Sequence, residues 1–297
     1  MIVGAARSGT SILYRSLQSH PRFTPAGGIN LVESHAVRDL MSLLRPSDVR
    51  PGPLANFAMG TDALTAVARD VEHLARRRAT VRRVAGRSAT GLRAWQLAGE
   101  HHVVRRYFLE AQRRRGAQRL VEKTPAHIWR VAHLGFAFPS ARFLFVIRHP
   151  LDTLGSFWKR GQEDPAQAVW ANVPPERFAD RWTRWAGAAL DLSRKEPRFM
   201  FIRYEDFTGR TEETVRRILD HIGEPFDPAC LLADEMAPPK SASEEAGARA
   251  VFGAVRTTTK RWEDYVDRAT ARDLERRLAR PMEQLGYEPR VNVTGTS

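Results

Sequence analysis

Apolar positions along this chain follow two rhythms. Short unbroken runs of β-branched and aromatic residues stand at Ile2-Val3, Leu120-Val121, Arg142 to Ile147 and Arg198 to Arg203, and their length and content predict buried strands. Between and after them apolar residues recur every three or four positions, which predicts helices. Ile12, Leu13 and Leu17 follow the first strand; a helix ends at Phe138; Leu151 begins another that runs to Trp158. Phe178, Trp182, Trp185 and Leu192 share one side of a further helix, Glu212 to Ile222 forms the next, and a long one closes the chain from about Trp262 to Leu285. Phe143 to Ile147 is apolar at both parities, as a central parallel strand covered on both faces requires. Strands alternating with helices predict an α/β fold, a three-layer sandwich with a central parallel sheet, in a single domain over residues 1–297. A helical insertion is expected at about 39–116 and a loop-rich stretch at about 235–259, neither with a recognisable chemical motif. Ligand groups of such a fold gather at the C-terminal strand ends, where Arg7, Lys123, Arg148 and Tyr204 stand.

Composition narrows the picture only slightly. With 42% hydrophobic and 27% charged residues the chain is an ordinary globular one. Its single cysteine, Cys230, excludes an intramolecular disulfide and a cysteine-rich metal site, and suits a reducing cytoplasm. No signal peptide and no run long enough to insert in a membrane is seen, so a soluble protein is expected. The net charge of +13 is almost all arginine, which a GC-rich genome alone would produce. Clusters such as Arg76-Arg77-Arg78 and Arg113-Arg114-Arg115 read as solvated helix faces rather than a nucleic-acid surface.

Candidate chemistry begins at Gly4-Ala-Ala-Arg7-Ser8-Gly9-Thr10-Ser11. A strand, a glycine turn and a helix start in this order aim several backbone N–H groups and the positive helix end at one spot, where a phosphate or sulfate fits. ATP-Mg loops of the type Gly-x4-Gly-Lys-[Ser/Thr] use the lysine on the phosphates and the hydroxyl on the metal. Here the glycine spacing is kept, but Thr10 takes the lysine position and the cation, Arg7, sits inside the loop. The central strand then ends in Arg148, where a metal-dependent nucleotidase commonly has an aspartate. The loop is suited to an anion and lacks the parts for ATP-Mg.

These residues resemble those of the sulfotransferases that use 3′-phosphoadenosine 5′-phosphosulfate (PAPS). Gly4 to Ser11 is similar to their 5′-phosphosulfate loop, with Ala6 in place of the usual proline. Arg148-His-Pro-Leu-Asp-Thr-Leu-Gly-Ser156 resembles their 3′-phosphate motif, an arginine and a serine eight positions apart. Lys123-Thr124-Pro125, Arg203-Tyr204-Glu205-Asp206, Thr259-Lys260-Arg261-Trp262 and Leu285-Gly286-Tyr287 resemble further signatures in the same order. Glu33-Ser34-His35 is similar to an acidic segment of the branch holding the tyrosylprotein-type and many bacterial carbohydrate or small-molecule enzymes. The first strand is shorter than expected for the family, since only three residues precede Gly4.

The resemblance implies a P-loop-NTPase-like fold and transfer of a sulfonate group from PAPS to a small-molecule or glycan hydroxyl, without a metal. It implies that Arg7, Ser8, Gly9, Thr10 and Ser11 hold the 5′ end of the nucleotide, and Arg148 and Ser156 the 3′-phosphate. Lys123 would act at the sulfonate or the leaving oxygen, and Glu33 would be the general base, with His35 its rival. Tyr204 would line the adenine pocket, with Arg256 or Lys260 closing over the 3′-phosphate. Trp158, Trp170, Trp182 and Trp185 could form an acceptor platform, but helical spacing favours core. The enzymatic alternative is a Mg-dependent P-loop small-molecule kinase; the other is a basic nucleic-acid-binding protein, supported by net charge alone.

Overall fold

The computed structural model describes residues 1–23, 105, 106, 108, 109, 112, 113, 118–165, 168–231 and 262–291. Glu33, His35, Arg256, Lys260, nearly all of the expected 39–116 insertion and the 235–259 stretch lie outside the described residues. In chain order the described elements are β1 (Ile2–Gly4), α1 (Thr10–Gln18), α2 (Val131–Ala137), β2 (Phe143–Ile147), α3 (Pro150–Glu163), α4 (Pro175–Lys195), β3 (Phe199–Arg203), α5 (Tyr204–Gly209), α6 (Thr211–Ile222) and α7 (Arg268–Gln284). Short helical turns at Ala168–Ala171, Pro125–Arg130, Pro228–Leu231 and Trp262–Asp264 join them.

The strands form a parallel sheet in the order β1-β2-β3, with Val3 paired to Phe145 and Phe145 to Phe201. The strand expected at Leu120-Val121 shrinks to one parallel bridge, Lys123 to Ile2, beside β1. Ile2 N–H donates to Glu122 O at 2.7 Å and Thr124 N–H to Ile2 O at 3.2 Å. Pro125 has no N–H to extend that ladder, and the chain turns into the helical stretch Pro125–Arg130 instead.

Strand β2 shows why the sheet is sandwiched. Phe143, Phe145 and Ile147 join Leu151, Leu154 and Phe157 of α3, Phe178 and Trp182 of α4, and Leu274 and Leu278 of α7. Leu144 and Val146 point the other way, into a second core with Leu13 and Leu17 of α1 and Ile218 and Leu219 of α6. Alternation along the strand thus buries both faces, giving helix, sheet and helix as three layers. Each such side chain contributes about 1.5–3 kcal/mol when fully buried. Trp182 and Trp185 are core, as their spacing predicts, and Trp158 is partly buried against it; Trp170 alone of the four tryptophans stays well exposed, at 40%.

The closing helix starts later than the pattern predicts. Trp262–Asp264 makes only a short turn, and Asp267 caps α7 by accepting Thr270 N–H at 2.9 Å and Thr270 Oγ1 at 2.7 Å. After α7 the chain returns to the strand ends. Tyr287 O–H lies 3.1 Å from Ile147 O and 3.0 Å from Glu205 Oε2, while Glu205 Oε1 accepts His149 N–H at 2.9 Å. Arg203 donates to Gly286 O at 2.6 Å with its guanidinium 4.5 Å from the Tyr287 ring centre. The C-terminal ends of β2 and β3 are therefore tied together from above. Among the described residues no helix is long and apolar enough to cross a membrane.

Candidate active site

The glycine loop takes its shape from crowding. A Cβ on Gly4 would stand 2.5 Å from Val146 O, so only glycine lets β1 end this close to β2. Ala5 N–H then donates to Val146 O at 3.0 Å. Arg7 adopts φ 66°, the left-handed region that a non-glycine residue rarely occupies. Gly9 follows at φ 90° as the N-cap of α1, and a Cβ there would sit 2.4 Å from the Tyr204 ring. The first N–H groups of α1 to reach a carbonyl are those of Ile12 and Leu13, both on Gly9 O at 3.1 Å. Those of Ser8 to Ser11 precede that ladder, at the positive helix end. The Ser8 hydroxyl is fully buried and has no hydrogen-bond partner among the described residues. Donors so placed are suited to an anion.

The second wall is the start of α3. Arg148 leaves β2 with its carbonyl held by Trp182 Nε1 at 3.1 Å and Thr153 Oγ1 at 3.2 Å. Its guanidinium lies 4.6 Å from the Tyr204 ring centre, within cation–π range, and 3.6 Å from Asp152 Oδ2. Asp152 also accepts Arg290 Nη1 at 2.9 Å, so it is shared between two cations. Two turns into α3, Ser156 Oγ accepts Arg7 Nε at 3.2 Å, across 149 residues of sequence. Gly155 lets Trp262 approach the other side of this helix, a Cβ there being 3.4 Å from Trp262 Cα.

The site is electropositive. Burial lowers the proton affinity of the Arg7 guanidinium, and the nearby Arg160 and Arg148 lower it further, against a smaller opposing effect of Glu163. Cations gathered in this way are stabilised by an anion. His149 beside them stays neutral. Burial, followed by the field of Arg290, pushes its pKa down to about 3. Its Nδ1 accepts Leu151 N–H at 3.3 Å, capping α3, and its Nε2–H therefore donates to Glu288 O at 3.2 Å.

The sequence-predicted residues thus fall into three groups. Arg7, Ser8, Gly9, Thr10, Ser11, Arg148, Ser156 and Tyr204 come together through the Arg7–Ser156, Gly9–Tyr204 and Tyr204–Arg148 contacts. Tyr204 is 3% exposed, a buried spacer between the loop and Arg148. Lys123 stands on the neighbouring side of β1, 6% exposed. Beside it Glu122 accepts Thr124 Oγ1 and, at 3.1 Å, His127 Nδ1. Glu33, His35, Arg256 and Lys260 lie outside the described residues. Sequence reasoning missed Arg160, His127 and the His149–Glu205–Tyr287 tie. Arg160 was open to detection, being one helical turn after Ser156.

Comparison with known proteins agrees with this geometry. Residues 1–228 match the family described as the sulfotransferase family. Among solved structures, the chain is similar to a sulfotransferase domain from the olefin synthase of Synechococcus PCC 7002. That match has a TM-score of 0.58 and 18% identity over 97% of this chain and 94% of that one. A sulfotransferase domain from the curacin biosynthetic pathway gives 0.53 at 18% identity, covering 97% and 96%. Sulfotransferase STF9 from Mycobacterium avium gives 0.50 at 15% identity, covering 98% and 77%. No curated protein sequence matches. The α/β sandwich is thus a P-loop-like sulfotransferase fold. The chain belongs to the sulfotransferase family, and it is an enzyme of sulfonate transfer.

Proposed function

We propose that the enzyme takes its sulfonate from PAPS and passes it to the hydroxyl of a small molecule or glycan, leaving a sulfate ester and 3′,5′-phosphoadenosine (PAP). The observation that carries this reading is the hydrogen bond from Arg7 Nε to Ser156 Oγ at 3.2 Å. It joins the loop suited to the 5′ end with the helix suited to a 3′-phosphate, so both ends of one nucleotide can be gripped together.

The reacting sulfonate carries spread negative charge, so catalysis here is positioning and electrostatic stabilisation. Arg7 and the N–H groups of Ser8 to Ser11 offset charge on the 5′-phosphate and on the oxygen that leaves with it. Lys123 serves the sulfonate from the next strand end. Arg148 holds the 3′-phosphate with Ser156, and Tyr204 supports the nucleotide site through its contacts to Gly9 and Arg148. Arg256 or Lys260 closes over the same phosphate. As the acceptor oxygen bonds to sulfur, its proton passes to Glu33, with His35 the rival base. The guanidinium at the end of β2 favours direct contact with an anion over a metal-bridged one, and no metal is assigned. The 39–116 insertion shapes the acceptor pocket of this single domain. A cytoplasmic setting fits the one cysteine, Cys230, whose thiol is buried with its pKa pushed up to about 12.

Replacing Arg148 by alanine tests the assignment. Affinity for PAP should fall about 10- to 100-fold, the worth of a charge-assisted contact. Affinity for adenosine 5′-phosphosulfate, which lacks the 3′-phosphate, should hardly change; equal losses for both nucleotides would refute the role.

A further inference from the structure

Arg160 is the one cation of this cluster that the family motifs do not account for. It lies four residues past Ser156 on α3, the next position on the same helical face. Its charge bears on Arg7, the residue whose side chain is bonded to Ser156.

Its surroundings do not satisfy it. The side chain is 8% exposed, and its Nη1 is buried with no hydrogen-bond partner among the described residues. Its Nη2 stands 3.3 Å from Asp164 Oδ2, a single contact to a carboxylate that is itself a quarter exposed. A guanidinium held only to pair with Asp164 would present both nitrogens to it, as forked arginine–carboxylate pairs do. A nine-tenths buried guanidinium with an unmet donor is costly unless something negative meets it. Arg7 and Arg148 of the same cluster are cations and cannot.

We propose that Arg160 is a further binding residue of the nucleotide site, donating from Nη1 to the 3′-phosphate beyond Ser156. This rests on the PAPS reading given above. The phosphate is then held from two directions along α3, by Arg148 before the helix begins and by Arg160 past Ser156. The Arg7 N–H already occupies a lone pair of Ser156 Oγ, which leaves the hydroxyl proton free to point at the same phosphate.

Arg160→Met keeps the buried stem and removes the charge. Calorimetric titration should show PAP affinity falling at least tenfold, with adenosine 5′-phosphosulfate affinity unchanged within twofold. The thermal midpoint of the ligand-free variant should stay level or rise, because an unmet buried cation has gone; a merely structural arginine would lower it. Asp164→Asn, which frees Arg160 from its carboxylate, should keep or tighten PAP binding. Unchanged PAP affinity in Arg160→Met, equal loss of both nucleotides, or an Asp164→Asn loss matching that of Arg160→Met would each overturn the proposal. If the unaltered enzyme ignores PAP, the PAPS reading itself fails; if it binds PAP and Arg160→Met binds equally well, only the role of Arg160 fails.

Discussion

At the scale of single residues, two glycines and one strained arginine decide the loop. Gly9 meets two demands at once, a φ of 90° and a Cβ position 2.4 Å from the Tyr204 ring. Tyr204 in turn carries Arg148 on its face, so a shift of the ring moves the guanidinium as well. Gly9→Ala should therefore lower stability by about 1–3 kcal/mol, the usual cost of a strained backbone position. It should also weaken PAP binding, although no charge is lost. Urea unfolding and titration of PAP on the same preparation check both; an alanine variant with unaltered midpoint and affinity would contradict the packing described. That Arg7, Arg148 and Ser156 would share one site was expected from their resemblance to a family's motifs, and the Arg7–Ser156 contact agrees with it. Arg160 was not singled out, because its one signal, a place one helical turn past Ser156, is weak among 47 Lys and Arg residues until burial and an unmet donor set it apart.

At the scale of elements, the junction of β2 and α3 is tied by several long-range hydrogen bonds. His149 caps α3 by accepting at Nδ1, which needs the neutral ring, and donates through Nε2. The groups facing it are Glu275, whose Oε1 is 3.7 Å from Nε2, together with Asp152, Arg148 and Arg290. Its folded pKa of about 3 lies below the ordinary 6.5. Between these values the unfolded chain binds the extra proton, so stability is complete above pH 6.5 and falls as pH drops toward 3. The slope contributed by this one group approaches about 1.4 kcal/mol per pH unit. Chemical denaturation from pH 7 to pH 4 should show that loss in the native protein and a shallower one in His149→Gln. Identical slopes would place the acid sensitivity elsewhere. The ties from His149 to Glu205 and Glu288, and from Tyr287 to Ile147 and Glu205, could not be read beforehand, because they join residues 56 to 140 positions apart. The strands and helices themselves were legible, since Phe143 to Ile147 and the Trp182–Trp185 face advertise burial directly. Errors fell where local chemistry overrode the pattern: Pro125 cut the edge strand to one bridge, and Asp267 set the start of α7.

For the whole molecule, the architecture explains why the site is where it is. Parallel strands deliver the Arg7 loop, Lys123, Arg148 and Tyr204 to the C-terminal end of the sheet, whose two faces are covered by apolar layers. The groups gathered there are mainly cationic, which suits the ligand proposed above, one with negative charge at both ends. A thermal-shift comparison of PAP, ADP and ATP-Mg on the unaltered enzyme tests this most directly. PAP should raise the unfolding midpoint well above the value reached with equal ADP, and Mg²⁺ should add nothing to the response to ATP. A protein that ignores PAP and is stabilised by ATP-Mg would contradict the central claim.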